Sequence, residues 1–458
     1  MSTSKPTDLV ERVLKLSRAD DCIVILEEST SVNVRFANNS TTTNGAVRAQ
    51  ELIIIAIREK RVGMVHRSYV DSEALEELVR EAEAACDFQE AAEDYCELES
   101  GSGNPDGWDG PTVSTDINVF AVMTRDLASA FKRAEGDNQK LFGFAEHTSS
   151  NLWLATSRGE RRRHNQLKGQ IEMTMKSSDF TDSAWAGQAT RDFSDVDTAA
   201  LIAGLRTQLG WSKTKLELAP GKYETLLSPS AVADLMVYAY WTAAGRDAAE
   251  GRTVYSAPGG ATKVGEKLAD DQLTLYSDPA EAHLSVSDFE IVGGTSSHAS
   301  VFDNGIHLER TNWIENGVLR HLITPRYWAK KSGVEATPYI DNLVMMTPGT
   351  KSMEQMVKTV KRGLLVTCLW YIREVDPQRL LLTGLTRDGV FLIEDGKVKG
   401  AVNNFRWNMS PVEMLSMIQD SGATGPTLAR EFGDYFTFAK MPPLLVRDFN
   451  MSSVSQAT

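Results

Sequence analysis

The chain has 458 residues, a formal charge of −14, 42% apolar residues and 24% charged ones. That length exceeds what one core supports and implies about three globular domains. The negative field repels phosphate backbones, which argues against direct nucleic-acid binding, and no stretch reaches the roughly 18 apolar residues of a membrane span.

The N-terminus, MSTSKPTDLVERVLKLS, lacks the apolar centre of a secretion signal and turns into an amphipathic helix with Leu9, Val10, Val13 and Leu14 on one face. CIVILEE and SVNVRFANN read as two strands, and ELIIIAIREKRVGMVHRS as a β-pair broken at Arg61-Val62-Gly63. DSEALEELVREAEAAC follows as a helix capped by Asp71 or Ser72, completing an α/β unit over residues 1–97. LESGSGNPDGWDGPT, residues 98–112, is too rich in Gly, Pro, Ser and Asp for a regular element and reads as a linker loop. A second α/β unit spans 113–213. Its helices lie in DINVFAVMTRDLASAFKRAEG and DVDTAALIAGLRTQLG, and its strands around LFGFAEHTSS, NLWLATS and QIEMTMKSS.

Residues 214–458 read as a β-rich domain with antiparallel hairpins and a few helices, so the expected class is α+β. Asn316-Gly317 and Asp395-Gly396 have the residue types of two-residue hairpin turns. Ser352 with Gln355, and Ser410 with Glu413 after Pro411, have the spacing of helix caps, the first helix being closed by Gly363. SPSAVADLMVYAYWTAAGRDAAEG, from Ser228, reads as a helix that is apolar almost all round.

Few residues announce chemistry. Arg158, Arg161, Arg162 and Arg163 could hold a phosphate or an acidic peptide, although their place between two strands favours a solvated hairpin tip. No two of the seven histidines have zinc-helix spacing; His298 and His307 with Asp303 come nearest, in a loop-and-strand stretch. GRTVYSAPGGATKVGEK lacks a phosphate-loop pattern and reads as a mobile loop. Cys22, Cys86, Cys96 and Cys368 show no CxxC spacing, which suits a reducing cytoplasm, and Cys368 sits in an apolar strand as an inert thiol.

NVRFANNSTTTNG, VGEKLADDQLTLYSDP, VKRGLLVTCLWYIREVDP, GVFLIEDGKVKGAVNNFRWNMSPVEML and PPLLVRDFNMSSVS together resemble the TldD/PmbA family, within it the PmbA (TldE) branch. The resemblance runs from about Val32 to Ser455. It implies a cytoplasmic heterodimeric peptidase whose TldD subunit holds zinc through a His-Glu-x-x-x-His helix. In this chain the corresponding helix reads SAVADLMVYAYW, with Asp234, Leu235, Met236, Tyr238 and Tyr240 at the degenerate positions, and no Cys follows Cys368 to serve as the family's C-terminal ligand. Asp234 alone does not make the three-ligand set of a catalytic zinc, so no catalytic residue or metal ligand is assigned here.

The resemblance therefore implies a metal-free subunit that binds small or unfolded peptides for a zinc-bearing TldD-like partner. The C-terminal sheet is expected to hold them by strand addition. Asn403, Asn404, Arg406 and Arg387 are the candidate peptide or partner contacts, with ordinary hairpin ends as the alternative. Two rival readings are a peptide-binding adaptor without a peptidase partner, and a self-sufficient hydrolase built on His298, Asp303 and His307.

Overall fold

The computed structural model describes residues 5–101, 107–270 and 272–456. The 98–112 linker thus lies partly outside the described residues, and the rest of it carries neither helix nor strand.

The N-terminal half is built on one antiparallel six-stranded sheet. Its elements are α1 (Pro6–Leu16), β1 (Asp21–Ala37), β2 (Ser40–Arg58), β3 (Arg61–Ser68), α2 (Leu75–Ala85), α3 (Ala121–Gly136), β4 (Gln139–Thr156), β5 (Arg161–Ser177), β6 (Ser183–Thr190) and α4 (Thr198–Trp211). The strand order is β3-β2-β1-β4-β5-β6. The 1–97 and 113–213 units contribute three strands each, and they join edge to edge where β1 pairs with β4.

Three local expectations change. The two strands read in 22–39 are the single β1, and those read in 141–157 are the single β4. Polar Ser29–Ser31 and Ser149-Ser150 resemble turns, yet they lie opposite each other in mid-sheet, and Ser31 and Thr148 share a hydroxyl hydrogen bond at 2.7 Å. The break expected at Arg61-Val62-Gly63 falls at Glu59-Lys60, both in the left-handed region.

Side chains alternate across the sheet. Val24, Leu26, Val32, Val34 and Phe36 point to the face covered by α1, α2, α3 and α4, where they pack with Leu9, Val79, Met123 and Leu205. Ile23 and Ile25 point the other way, onto Phe289, Val292, Val301 and Phe302 of the C-terminal half. Farther along the strands that second face is covered only in part, by the loop around Arg430 and Asp434.

The C-terminal half has a ten-stranded mixed sheet and a six-stranded one. Helix α5 (Pro229–Trp241) packs against both, its Ala233, Leu235, Met236 and Val237 meeting Leu364, Val366, Leu343 and Met345. A helix apolar on every side needs such enclosure. Ser228 caps it, its hydroxyl accepting the Ala231 N–H at 3.2 Å.

Asn316-Gly317 and Asp395-Gly396 both form hairpin turns with positive φ at each residue. Ser352 and Gln355 form the reciprocal cap, but that helix ends at Val357. Gly363 lies in the strand Arg362–Val366, where an added Cβ would stand 2.6 Å from the Glu224 carbonyl, so its place is a close strand approach. The stretch expected as a mobile loop carries two short paired strands, and Tyr255 ties it to α5 by donating to the Ala239 carbonyl at 3.0 Å. Among the described residues no helix is long and apolar enough to cross a membrane.

Candidate functional site

Asp234 is fully buried on α5. One carboxylate oxygen accepts the backbone N–H of Glu431 at 2.9 Å and of Phe432 at 3.2 Å, and the other that of Arg430 at 3.1 Å. Burial pushes its carboxyl up to about 8, outweighing the three N–H donors that pull it down. Leu235 and Met236 are core. Tyr238 packs on Phe432, and the Tyr240 hydroxyl donates to the Ile340 carbonyl at 3.0 Å and accepts its N–H at 2.9 Å. The α5 residues therefore do not fit a zinc ion: the one carboxylate is occupied by backbone donors, and no thiol or imidazole accompanies it on the helix.

What Asp234 holds is a loop, residues 430–436, that reaches the N-terminal sheet. The Arg430 guanidinium lies 3.6 Å from the Trp370 ring centroid and 5.1 Å from that of Trp185, and it meets the Glu172 carboxylate at 3.3 Å. Asp434 accepts from the Gln170 amide at 2.5 Å, and its carbonyl lies 3.5 Å from the Lys168 ammonium. Nothing local in LAREFGDYF signals this; its partners on α5 and β5 lie 197 and 264 residues away in sequence.

Beside Asp434 opens a groove of about 820 Å³ on the open part of the second face of β1, β4 and β5. The register sets its side chains in rows, Arg35–Phe144–Glu172 and then Glu146–Gln170. Gly143 lines the same groove, where an added Cβ would stand 2.3 Å from the Phe36 ring and 2.4 Å from the Glu172 carbonyl.

The four sequence-derived contact residues do not converge. Asn403 and Asn404 line a separate cavity of about 270 Å³ with Asp182, Lys215 and Asp388. The Asn403 carbonyl accepts the Leu218 N–H at 2.7 Å, while its amide nitrogen is buried without a partner. Arg387 lies 5.8 Å from the Trp370 ring centroid, next to the loop that Asp234 holds. Arg406 is exposed, 3.4 Å from the Thr383 hydroxyl.

The arginine cluster lies at the β4–β5 hairpin end, with Arg158 exposed in the turn, and its cations are already paired. Arg158 pairs with Asp21 at 2.6 Å, Arg161 with Glu11 at 2.6 Å and Arg162 with Glu160 at 3.2 Å, and Arg163 donates to the carbonyls of Gly107 and Pro111. His298 donates from Nε2 to the Trp241 carbonyl at 2.7 Å, Asp303 pairs with Arg326 at 2.7 Å, and His307 donates to the Asp288 carbonyl. Those three do not assemble a site. Among the described residues no group of three or more His, Cys, Asp or Glu could hold a metal ion.

Residues 220–453 match the model of the PmbA/TldA metallopeptidase C-terminal domain, and residues 22–86 that of PmbA/TldA metallopeptidase domain 1. The chain belongs to the TldD/PmbA family. Its fold is shared over nearly the whole length with solved relatives of low identity. TldE from Thermococcus kodakarensis superposes with a TM-score of 0.78 at 19% identity, covering 97% of this chain and 98% of that one. A protein from Bacteroides thetaiotaomicron, described as a candidate modulator of DNA gyrase, gives 0.77 at 16% over 99% and 100%. One from Thermotoga maritima with the same description gives 0.75 at 15% over 97% and 99%. No curated protein matches the sequence. In this TldD/PmbA member Asp234 of α5 anchors the loop beside the groove.

Proposed function

We propose that this chain is the metal-free subunit of a TldD/TldE-type heterodimeric zinc metallopeptidase, acting in the cytoplasm. It binds small or unfolded peptides and admits them to the zinc of a TldD-like partner. The observation that carries this is Asp234: the residue at the degenerate metal position is fully buried and holds Arg430, Glu431 and Phe432 by their N–H groups. A carboxylate so engaged neither ligates a metal nor takes a proton from a metal-bound water.

Two features supply what a peptide-handling subunit needs, an open groove and an anchored loop along its rim. The N-terminal sheet thus replaces the C-terminal sheet as the favoured place for peptide contact.

The test is to express the chain alone and together with a TldD-like homologue from the same genome. The expected result is co-purification at equal amounts, zinc only when the homologue is present, and hydrolysis of unfolded peptide only by the pair. Stoichiometric zinc and peptide cleavage by the chain alone would refute the proposal. Failure to capture the homologue would favour an adaptor.

A further inference from the structure

The groove's side chains have a chemistry of their own, and the ligand class they select rests on the proposal that this chain binds peptides. Its floor is formed by strands already paired to one another, so the ladder bonds of β4 are made to β1 on one side and to β5 on the other. A guest lying there is read by side chains rather than by strand addition.

Four carboxylates line the groove, Glu27, Glu146, Glu172 and Asp434, against two cations, Arg35 and Lys168. Both cations are engaged: Arg35 lies 5.1 Å from the Phe144 ring centroid, and Lys168 is 3.5 Å from the Asp434 carbonyl. Glu172 is held by Arg430 and by the Trp185 indole N–H, and Asp434 by Gln170. Among the described residues, Glu27 and Glu146 make no ion pair or side-chain hydrogen bond. An unpaired carboxylate on a half-buried surface attracts a cation.

An independent observation points the same way. Gln170 is only 6% exposed, lines the groove, and stands directly opposite Glu146 on the neighbouring strand. Its amide nitrogen is fixed on Asp434, which directs its carbonyl oxygen elsewhere, and that oxygen is buried without a donor. A buried acceptor left open is unfavourable until a donor reaches it, and an ammonium or guanidinium has donors to spare.

We propose that the groove binds the cationic part of a peptide, a Lys or Arg side chain or an N-terminal ammonium, between Glu146 and Gln170. Glu27 extends the same attraction along the groove, and the ring of Phe142 flanks it. The chain's charge of −14 favours the encounter at a distance.

The test measures binding of labelled Gly-Ser peptides of equal length, acetylated at the N-terminus, that carry Lys or Gln at matched positions. The wild type is expected to bind the Lys peptide about tenfold more tightly or better, and less so as salt rises. Glu27→Gln with Glu146→Gln should abolish that preference. Glu76→Gln with Glu77→Gln, which changes net charge equally on the exposed face of α2, should leave it intact. Equal affinity for the two peptides, or loss of preference in the α2 variant as well, would overturn this inference and leave the peptide-binding reading standing. If no peptide binds at all, both fail together.

Discussion

Asp234 and Glu431 lie 197 residues apart in sequence and 2.9 Å apart in space, carboxylate oxygen to backbone N–H. That contact, with its two neighbours on Arg430 and Phe432, joins a helix enclosed by both C-terminal sheets to the loop beside the groove.

The Asp234 carboxyl has a sign-defined effect on stability. Its pKa is raised by burial from 3.8 to about 8, so the folded chain keeps a proton that the unfolded chain releases. Its contribution is fully present below about pH 4 and is lost as pH rises to about 8. Asp234→Asn does not ionise. Its stability relative to wild type is therefore expected to improve with pH through this window, by at most about 1.4 kcal/mol per pH unit. Urea melts of both proteins at several pH values check this, and parallel curves would contradict it. Asp234→Ala leaves three N–H groups without an acceptor and is expected to cost about 3 kcal/mol or more near pH 4, a difference that shrinks as pH rises along the same slope as for Asp234→Asn, since alanine does not ionise either.

Arg430 makes planar contacts that a lysine does not reproduce. It stacks on Trp370, approaches Trp185 and pairs with Glu172. Arg430→Lys keeps the charge and loses the flat face, so it is expected to lose about 1–2 kcal/mol and to shift tryptophan emission. Arg430→Ala should add faster proteolysis within 430–436. An emission spectrum and melting curve unchanged in Arg430→Lys would show that the stacking contributes nothing.

The parts of the fold that depend on neighbours in sequence were readable from it. The caps at Ser228 and Ser352 and the turns at Asn316-Gly317 and Asp395-Gly396 need only a few adjacent residues, and all four form. The long strands were read as broken because Ser29–Ser31 and Ser149-Ser150 favour turns locally, whereas cross-strand pairing fixes them extended. Asp234 is recognisable as the one carboxylate on its helix. Its partners are not, since backbone N–H groups carry no residue signature. The groove was hidden for a related reason: Glu27, Glu146 and Gln170 come together only through the register of three strands.

The turn glycines separate two costs of adding a methyl group. Gly317 has φ 78° and an added Cβ there would stand 2.5 Å from the carbonyls of Ala269 and Asp270. Gly333 has φ 72° with nothing within 4 Å. Gly333→Ala should therefore cost only the left-handed conformation, about 1 kcal/mol, and Gly317→Ala about 3 kcal/mol or more because backbone must move as well. Equal midpoints in denaturant melts would mean that the chain at 269–270 yields freely.

The thiols give a test against nucleophilic chemistry in this chain. Cys368 and Cys22 are buried, and burial pushes each thiol up to about 12. At pH 8 only about one in ten thousand of such groups is a thiolate, the form that attacks. Cys86 is buried and also raised, which leaves the half-buried Cys96 as the one to which a reagent has access, slowed by its own raised pKa. Native alkylation with iodoacetamide should thus label Cys96 slowly and the others only after unfolding, and Cys96→Ser should remove native labelling. Cys368 lies not in a strand, as its apolar surroundings suggest, but in the buried connection between the strands Arg362–Val366 and Trp370–Asp376, and its rapid modification in the folded protein would mean that this connection opens far more readily than its packing implies. It would also return that thiol to the set of candidate nucleophiles.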